Sequence, residues 1–182
     1  MRTLPAILVF ALWALGAAAQ PVVTAPAWPG GRPYFHAYLS GNQSVSNATA
    51  TKVQFDTTTG AGFDSGGYWA TAGTSCSSSG AYCYTPLVAG KYLVHAHISL
   101  SGSGTGGQQQ TYIYKNGASV SNSSATAFNT NTFGITMDVV DIIAMNGTTD
   151  YLEGWASVTA ATSPTVVGTA PSSYIEATYL GP

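Results

Sequence analysis

The sequence predicts an all-β sandwich, and three observations support that prediction. Residues 92–100 alternate between apolar and polar side chains, which is typical of a strand with one buried face. Asn116-Gly117 separates two strand-like runs and suits a tight hairpin turn, because both residues tolerate positive φ. Helical spacing of apolar residues occurs only near the N-terminus. The side chains expected to face the core from the first of these runs are Tyr92, Val94, Ala96, Ile98 and Leu100.

Further strands follow one another at short intervals. Phe35, Ala37 and Leu39 alternate with polar neighbours and predict an opening strand. Two long segments, residues 133–145 and 150–158, flank the turn-forming residues 146–149, and we expect them to form a hairpin. The remaining predicted strands cover residues 52–55, 111–120 and 174–180.

Charged residues make up only 7% of the chain, against roughly 25% in an ordinary soluble domain. The formal net charge is -2, so the surface offers no basic patch to a phosphate backbone. Nucleic acid is therefore not an expected partner. Few charges also leave little repulsion between copies, which favours self-association.

The N-terminal segment predicts export. Arg2 precedes an apolar run over residues 4–15 and small residues at 17–19, the pattern of a cleaved signal peptide over residues 1–19. An uncleaved membrane anchor is the alternative, but the run is shorter than the roughly 20 residues that a spanning helix needs. Residues 20–33 are rich in Pro and Gly and predict a linker or arm, and residues 34–182 form the folded domain. The expected location is extracellular, or periplasmic or cell-surface in a bacterium, with no stable insertion into the membrane.

Cys76 and Cys83 flank a loop of small residues. In an oxidising compartment such a pair normally forms a disulfide. A redox-active or metal-binding pair is the alternative, but neither a nearby basic group nor a further cysteine supports it.

Several motifs within residues 34–182 resemble, in their order, the globular head domain of complement component one-q, one of the tumour-necrosis-factor-like jelly rolls. Thr85-Pro86 followed by Ala89-Gly90-Lys91-Tyr92 is similar to the Pro, Ala-Gly and Tyr signature of that family. The other matching motifs are Phe35-His36-Ala37, Val53-Gln54-Phe55-Asp56, Phe63-Asp64, Ile113-Tyr114-Lys115-Asn116-Gly117, Asp150-Tyr151-Leu152-Glu153 and the closing strand 174–180.

The resemblance implies a ten-stranded jelly-roll sandwich that assembles as a homotrimer and binds a ligand rather than catalysing a reaction. The sequence departs from the family pattern where Thr148-Thr149 separates Gly147 from Asp150 and where Ala177 stands in place of a usual Gly. Some relatives bind calcium, and calcium or another metal is left open for this chain, but no residues here match such a site. No cofactor is therefore predicted from the resemblance.

The histidines form the most distinctive candidate site. His95 and His97 lie two residues apart on the central strand, so both point to its polar face. The same alternation turns His36 and Glu176 away from the core. The resemblance implies that the three strands lie side by side in the sheet that faces neighbouring subunits. We hypothesise that the four side chains cluster there and bind a metal, or loosen the trimer when the histidines are protonated; hydrogen-bonded interface histidines without such a role are the alternative.

Four aromatic residues form a second candidate set. Aromatic faces pack well against the C–H groups of a sugar, so these side chains are candidates for ligand contact. Filling the core or a subunit contact is the alternative. The four residues are Tyr68, Trp69, Tyr82 and Trp155.

The sequence contains no Gly-x-Ser-x-Gly elbow, phosphate-binding loop or His-Glu-x-x-His motif, so an enzyme acting on glycans is the least favoured function. The carboxylates Asp138, Asp141, Asp150 and Glu153 are interpreted as solvated residues near turns or strand ends. The leading prediction is a secreted homotrimeric module that recognises an extracellular protein or glycan through loops at one end. A structural trimer, such as a surface, spike or fibre-tip component, is the alternative.

Overall fold

The computed structural model describes residues 32–59, 62–71, 76, 80–104, 107–126, 133–159 and 161–182. The predicted signal peptide and most of the predicted arm lie outside the described residues. The fold within them is all-β, as predicted. Among these residues, no helix has the length and apolar character needed to cross a membrane.

The strands form two sheets. The seven-stranded sheet contains β1 (Tyr34–Tyr38), β2 (Gln43–Ser44), β4 (Phe63–Asp64), β7 (Ala89–Ser103), β10 (Phe133–Asn146), β12 (Thr162–Val166) and β13 (Ser173–Gly181). The six-stranded sheet contains β3 (Thr51–Lys52), β5 (Trp69–Ala70), β6 (Cys83–Tyr84), β8 (Gln108–Lys115), β9 (Ala118–Thr126) and β11 (Leu152–Val158).

The core lies between the inner faces of the two sheets. The alternation predicted for β7 is confirmed, because its even-numbered residues 92–100 are fully buried. Neighbouring strands contribute Phe35, Ala37, Ile175 and Ala177, all buried as well. The six-stranded sheet faces them with Ile113, Leu152, Ala156 and Val158. Removing these apolar surfaces from water is the main driving force for closing the sandwich.

The first, last and central strands are neighbours, as the resemblance implies. Strand β13 pairs with β1 on one side and with β7 on the other, and all three are antiparallel to their neighbours. Strand β10 pairs with the opposite edge of β7 along the whole length of β10. In an antiparallel sheet, residues directly opposite one another project to the same face. Rows of side chains from these four strands therefore share the outward face of the seven-stranded sheet.

The predicted hairpin between residues 133–145 and 150–158 is wrong. Both segments are strands, but β10 pairs with β7 in one sheet while β11 pairs with β8 in the other. The turn at residues 147–151 thus carries the chain across the sandwich. Alternation indicates which face of a strand is buried, but it contains no information about which sheet the strand joins.

The predicted strand at residues 52–55 is shorter than expected. Only Thr51–Lys52 forms a strand, opposite β11. The backbone N–H of Val53 still donates to Gly154 O (2.9 Å), but that of Gln54 donates to the side chain of Gln43 (2.7 Å) instead. A side-chain acceptor has replaced the backbone partner that would have extended the strand.

Two local predictions are confirmed. Cys76 and Cys83 form a disulfide, and both are fully buried. Asn116 and Gly117 have φ angles of 54° and 78° and connect β8 to β9 as a hairpin. Asn116 also ties that hairpin to the following motif, because its side-chain oxygen accepts the N–H of Tyr151 (3.0 Å) and its amide donates to Asp150 (2.8 Å).

Candidate functional site

The outward face of the seven-stranded sheet carries a cluster of imidazole and carboxylate groups. We use the term histidine–carboxylate cluster for His36, His95, His97, Asp138 and Glu176. The strand register brings them together, since His36 lies opposite Glu176, Glu176 opposite His95, and Asp138 opposite His97. The four residues predicted to share a face therefore do lie together on it. Their position against a neighbouring subunit, and a response to protonation, stay predictions.

The cluster is a continuous chain of short contacts. His36 Nδ1 lies 3.1 Å from Glu176 Oε2, and the other oxygen of Glu176 lies 3.2 Å from His95 Nδ1. His95 Nε2 then lies 2.7 Å from Asp138 Oδ1. The same oxygen lies 2.7 Å from His97 Nδ1. Two carboxylates thus link all three imidazoles.

Tyr174 orients the rings of the cluster. Its ring is stacked on His97, with centroids 4.8 Å apart and planes at 17°, and on His36, at 4.6 Å and 29°. It meets His95 edge to face at 5.3 Å. Aromatic contacts of this kind hold ring planes in place in addition to burying area.

The imidazoles lower the pKa of both carboxylates. Hydrogen bonding from His36 lowers the pKa of Glu176, and His95 adds to that effect against the opposing effect of burial. Burial alone raises the pKa of Asp138, but hydrogen bonds from His97 and His95 outweigh it and bring the pKa below its ordinary value. Both acids are therefore held in their ionised form.

Asp138 is the residue that the sequence interpretation missed. The sequence predicts a solvated residue near a strand end or turn; the side chain is indeed 53% exposed, but it lies within β10 opposite His97. Glu153 was interpreted in the same way and is fully buried. The signal for Asp138 is its even position on β10, which becomes informative only once β10 is known to pair with β7.

An apolar band adjoins the cluster on the same face. Ile142 lies opposite Leu93, and Leu93 lies opposite Thr178, which in turn lies opposite Tyr34. Large side chains in this area are between 41% and 56% exposed, although they are apolar. We use the term outward apolar band for Tyr34, Phe63, Leu93, Val140, Ile142 and Leu180.

The four candidate aromatic residues are partly buried and spread over different strands and loops. Tyr68 and Trp69 pack against the core, and the indole N–H of Trp69 donates to Phe55 O (3.1 Å). Trp155 stacks on Tyr114 with centroids 4.6 Å apart. Tyr82 lies in the disulfide loop with a φ of 61°. Contact of these residues with a ligand stays a prediction.

Solved structures with a similar fold include TNF-family proteins and a complement-one-q globular domain. Murine APRIL at pH 5.0 matches with a TM-score of 0.55 and 9% identity, covering 82% of this chain and 100% of that one. Eiger TNF from S. frugiperda matches with a TM-score of 0.51 and 14% identity, covering 82% of this chain and 91% of that one. The globular domain of the zebrafish complement 1qA protein matches with a TM-score of 0.50 and 12% identity, covering 82% of this chain and 98% of that one. The fold is a TNF/complement-one-q-like jelly roll.

The identities of 9% to 14% leave this conclusion at the level of the fold. A scan against family models finds no match. A search of curated proteins finds none either. In this TNF/complement-one-q-like jelly roll, the histidine–carboxylate cluster and the outward apolar band lie on the sheet that contains β1, β13, β7 and β10.

Proposed function

We propose that the chain is a secreted, homotrimeric binding module that recognises an extracellular protein or glycan through loops at one end of the jelly roll. The observation that carries the proposal is the outward apolar band. Single exposed apolar residues are normal on a protein surface. A contiguous group beside a polar cluster is typical of an interaction surface.

A second and a third copy of this chain are the occupants that best suit the band. The chain has only 7% charged residues, so copies approach one another with little electrostatic repulsion. The resemblance to the complement-one-q head implies assembly about a threefold axis, with this sheet facing the neighbouring subunits. The buried disulfide supports the secreted location, because such bonds persist in oxidising compartments.

The trimer is tested by placing a charge in the band. Ile142→Lys introduces a cation at a position that the proposed interface buries, where an unpaired charge is strongly unfavourable. We expect light scattering coupled to size exclusion to give a threefold mass for the wild type. For the variant we expect association weakened by ~100-fold or more, since each factor of ten corresponds to about 1.4 kcal/mol.

Val120→Lys is the matched control. Val120 is 46% exposed, like the residues of the band, but it lies on β9 in the other sheet. This variant is expected to keep the threefold mass. A monomeric wild type, or equal loss of assembly in both variants, would contradict the proposed interface.

Binding is tested separately from assembly. The purified trimer is applied to a glycan array and to a panel of extracellular proteins, and saturable binding to a defined probe is expected. A stable trimer that binds none of them would favour the structural alternative.

A further inference from the structure

Three potential metal ligands converge at one point of the histidine–carboxylate cluster. His95, His97 and Asp138 each offer one ligand atom, and these atoms all lie within 4.8 Å of one another. His95 Nε2 and His97 Nδ1 both lie 2.7 Å from the same oxygen of Asp138, Oδ1. Histidine nitrogens and carboxylate oxygens are the ligands that zinc and related divalent ions use in proteins.

His95 lies between two carboxylates, so the number of protons on its ring decides which contacts are hydrogen bonds. Its two ring nitrogens each face a carboxylate, Glu176 at 3.2 Å and Asp138 at 2.7 Å. A neutral imidazole has one N–H and can donate to only one of them. The other nitrogen then faces a carboxylate oxygen with a lone pair, so a cation, either a proton or a metal ion, has to lie between the two atoms. A metal ion bound at Nε2 takes the place of that proton.

We propose that His95, His97 and Asp138 bind one divalent transition-metal ion of the zinc class. Glu176 is a positioning residue, because it accepts the N–H of His95 Nδ1 and so directs the lone pair of Nε2 toward the metal. A carboxylate behind a ligating histidine is the usual outer arrangement at zinc sites. Calcium is excluded as the preferred ion, because it takes six to eight oxygen ligands.

The distances suit a tetrahedral ion. Bonds of about 2.0–2.1 Å to zinc place neighbouring ligand atoms about 3.4 Å apart. The nitrogen–oxygen distances of 2.7 Å are hydrogen-bond distances and are shorter than this spacing, while the outer limit of 4.8 Å is longer. Side-chain rotations that change these separations by up to about 1.4 Å would bring the three atoms to the tetrahedral spacing.

The ligands lie on paired strands, and in the single chain the site is open to solvent. All three ligands lie on the long paired strands β7 and β10, and Tyr174 stacks on the ring of His97. A site on paired strands holds its geometry better than one on loops. The side chains of His95, His97 and Asp138 are 22%, 24% and 53% exposed, so an ion reaches them from solution.

Three protein ligands leave the fourth position of a tetrahedral zinc ion open to water or to a donor from another molecule. All three ligands belong to one chain. The metal site therefore does not depend on the proposed trimer, and the two proposals fail or succeed separately.

The test is zinc binding by the full exported chain after treatment with a chelator. Zinc chloride alone is titrated in a calorimeter, and we expect saturable binding of one ion per chain that a tenfold excess of calcium does not displace. Asp138→Asn and His97→Gln each remove a ligand and are expected to weaken binding by ~100-fold or more. Glu176→Gln is expected to weaken it by about 10- to 100-fold.

Asp141→Asn is the matched control, because it removes a carboxylate from the same strand at a position that alternation places on the opposite face. Its affinity is expected to equal that of the wild type. Absence of saturable zinc binding to the wild type would overturn the proposal. So would wild-type affinity in Asp138→Asn.

A measurement on the wild type covers the case in which the variants fail to fold. The imidazole C–H resonances of the three cluster histidines are followed by nuclear magnetic resonance during the zinc titration. Those of His95 and His97 are expected to shift together up to one equivalent, with much smaller changes at His36. A pattern in which His36 shifts as strongly as the other two, or in which none shifts, contradicts the assignment.

Discussion

At the scale of single residues, Glu153 shows how this chain keeps a charge in its interior. The carboxylate is fully buried, although alternation along β11 directs it away from the core between the sheets. Lys52 Nζ donates to one of its oxygens (2.9 Å) and the indole N–H of Trp155 to the other (3.1 Å). Each carboxylate oxygen thus has a donor, which is the condition for tolerating a buried ion.

Removal of the cation should therefore be costly. Lys52→Met removes the cation that lies 2.9 Å from the buried carboxylate of Glu153 and is expected to lower the free energy of unfolding by about 3–5 kcal/mol, measured by urea denaturation. Lys91→Met, at an exposed position of β7, is the control and should stay within about 0.5 kcal/mol of the wild type. Adding Glu153→Gln to Lys52→Met should recover part of the loss. A Lys52→Met variant as stable as the control would show that the pair does not stabilise the fold.

Asp150 makes stability depend on acid pH. Burial by itself raises the pKa of Asp150, but hydrogen bonds from Lys115, Asn116 and the backbone of Asn146 outweigh it, so the folded pKa lies below the ordinary 3.8. A lowered pKa means that this contribution is fully present above the unfolded pKa and is lost as the pH falls through the folded pKa.

We expect Asp150→Asn to be less stable than the wild type by about 1–3 kcal/mol at pH 7. The difference should stay constant down to about pH 5 and shrink below about pH 4, near the unfolded pKa of an aspartate. Urea denaturation at pH 7, 5 and 3 measures it, with Asp141→Asn correcting for the change in net charge. A stability difference that grows as the pH falls would contradict a lowered pKa of Asp150 in the folded state.

At the scale of elements, the turn after β10 is a point of close contact. Gly147 has a φ of 72°, and a Cβ at this position would collide with the backbone nitrogen of Ala89. Gly147→Ala combines left-handed strain of about 1–2 kcal/mol with that collision. Gly117 has a φ of 78°, and a Cβ at this position would lie 3.5 Å from the hydroxyl of Tyr151, an ordinary contact. Gly117→Ala therefore introduces the backbone strain without a collision.

The free energy of unfolding of Gly147→Ala should therefore fall below that of Gly117→Ala by at least about 1 kcal/mol. Thermal and urea unfolding of both variants give the comparison. Equal losses would mean that the segments around residues 89 and 147 separate without cost.

How far the elements were predictable depended on the range of the interactions. Period-two patterns located β1, β7 and β13, and Asn116-Gly117 located the hairpin of β8 and β9, because those signals lie within a few residues. The pairing of β10 left no local signal. Asp138 contacts His97 across 41 residues of sequence. The part of the cluster on β1, β7 and β13 could therefore be predicted, but Asp138 on β10 could not.

At the scale of the whole molecule, the order of motifs supplied what the local patterns lacked. No single motif identifies a jelly roll, but their order along residues 34–182 implied the neighbours β1, β13 and β7, which the structure contains. The shared fold extends over 82% of this chain despite identities of 9% to 14%. The packing of alternating strands into two layers is thus compatible with very different surfaces, and surface residues decide what each such protein binds.

The position of β10 also bears on how copies of this chain avoid uncontrolled aggregation. Within the described residues, this 14-residue strand pairs only with β7, so its other edge is open to strand addition by another chain. Asp141 lies midway along it, partly buried, and its carboxylate accepts the backbone N–H of Ile142 (2.7 Å). That N–H is thereby occupied, and an incoming strand would have to accommodate the charge. One of the chain's few charges thus lies at the open edge of β10, where it disfavours pairing with another strand.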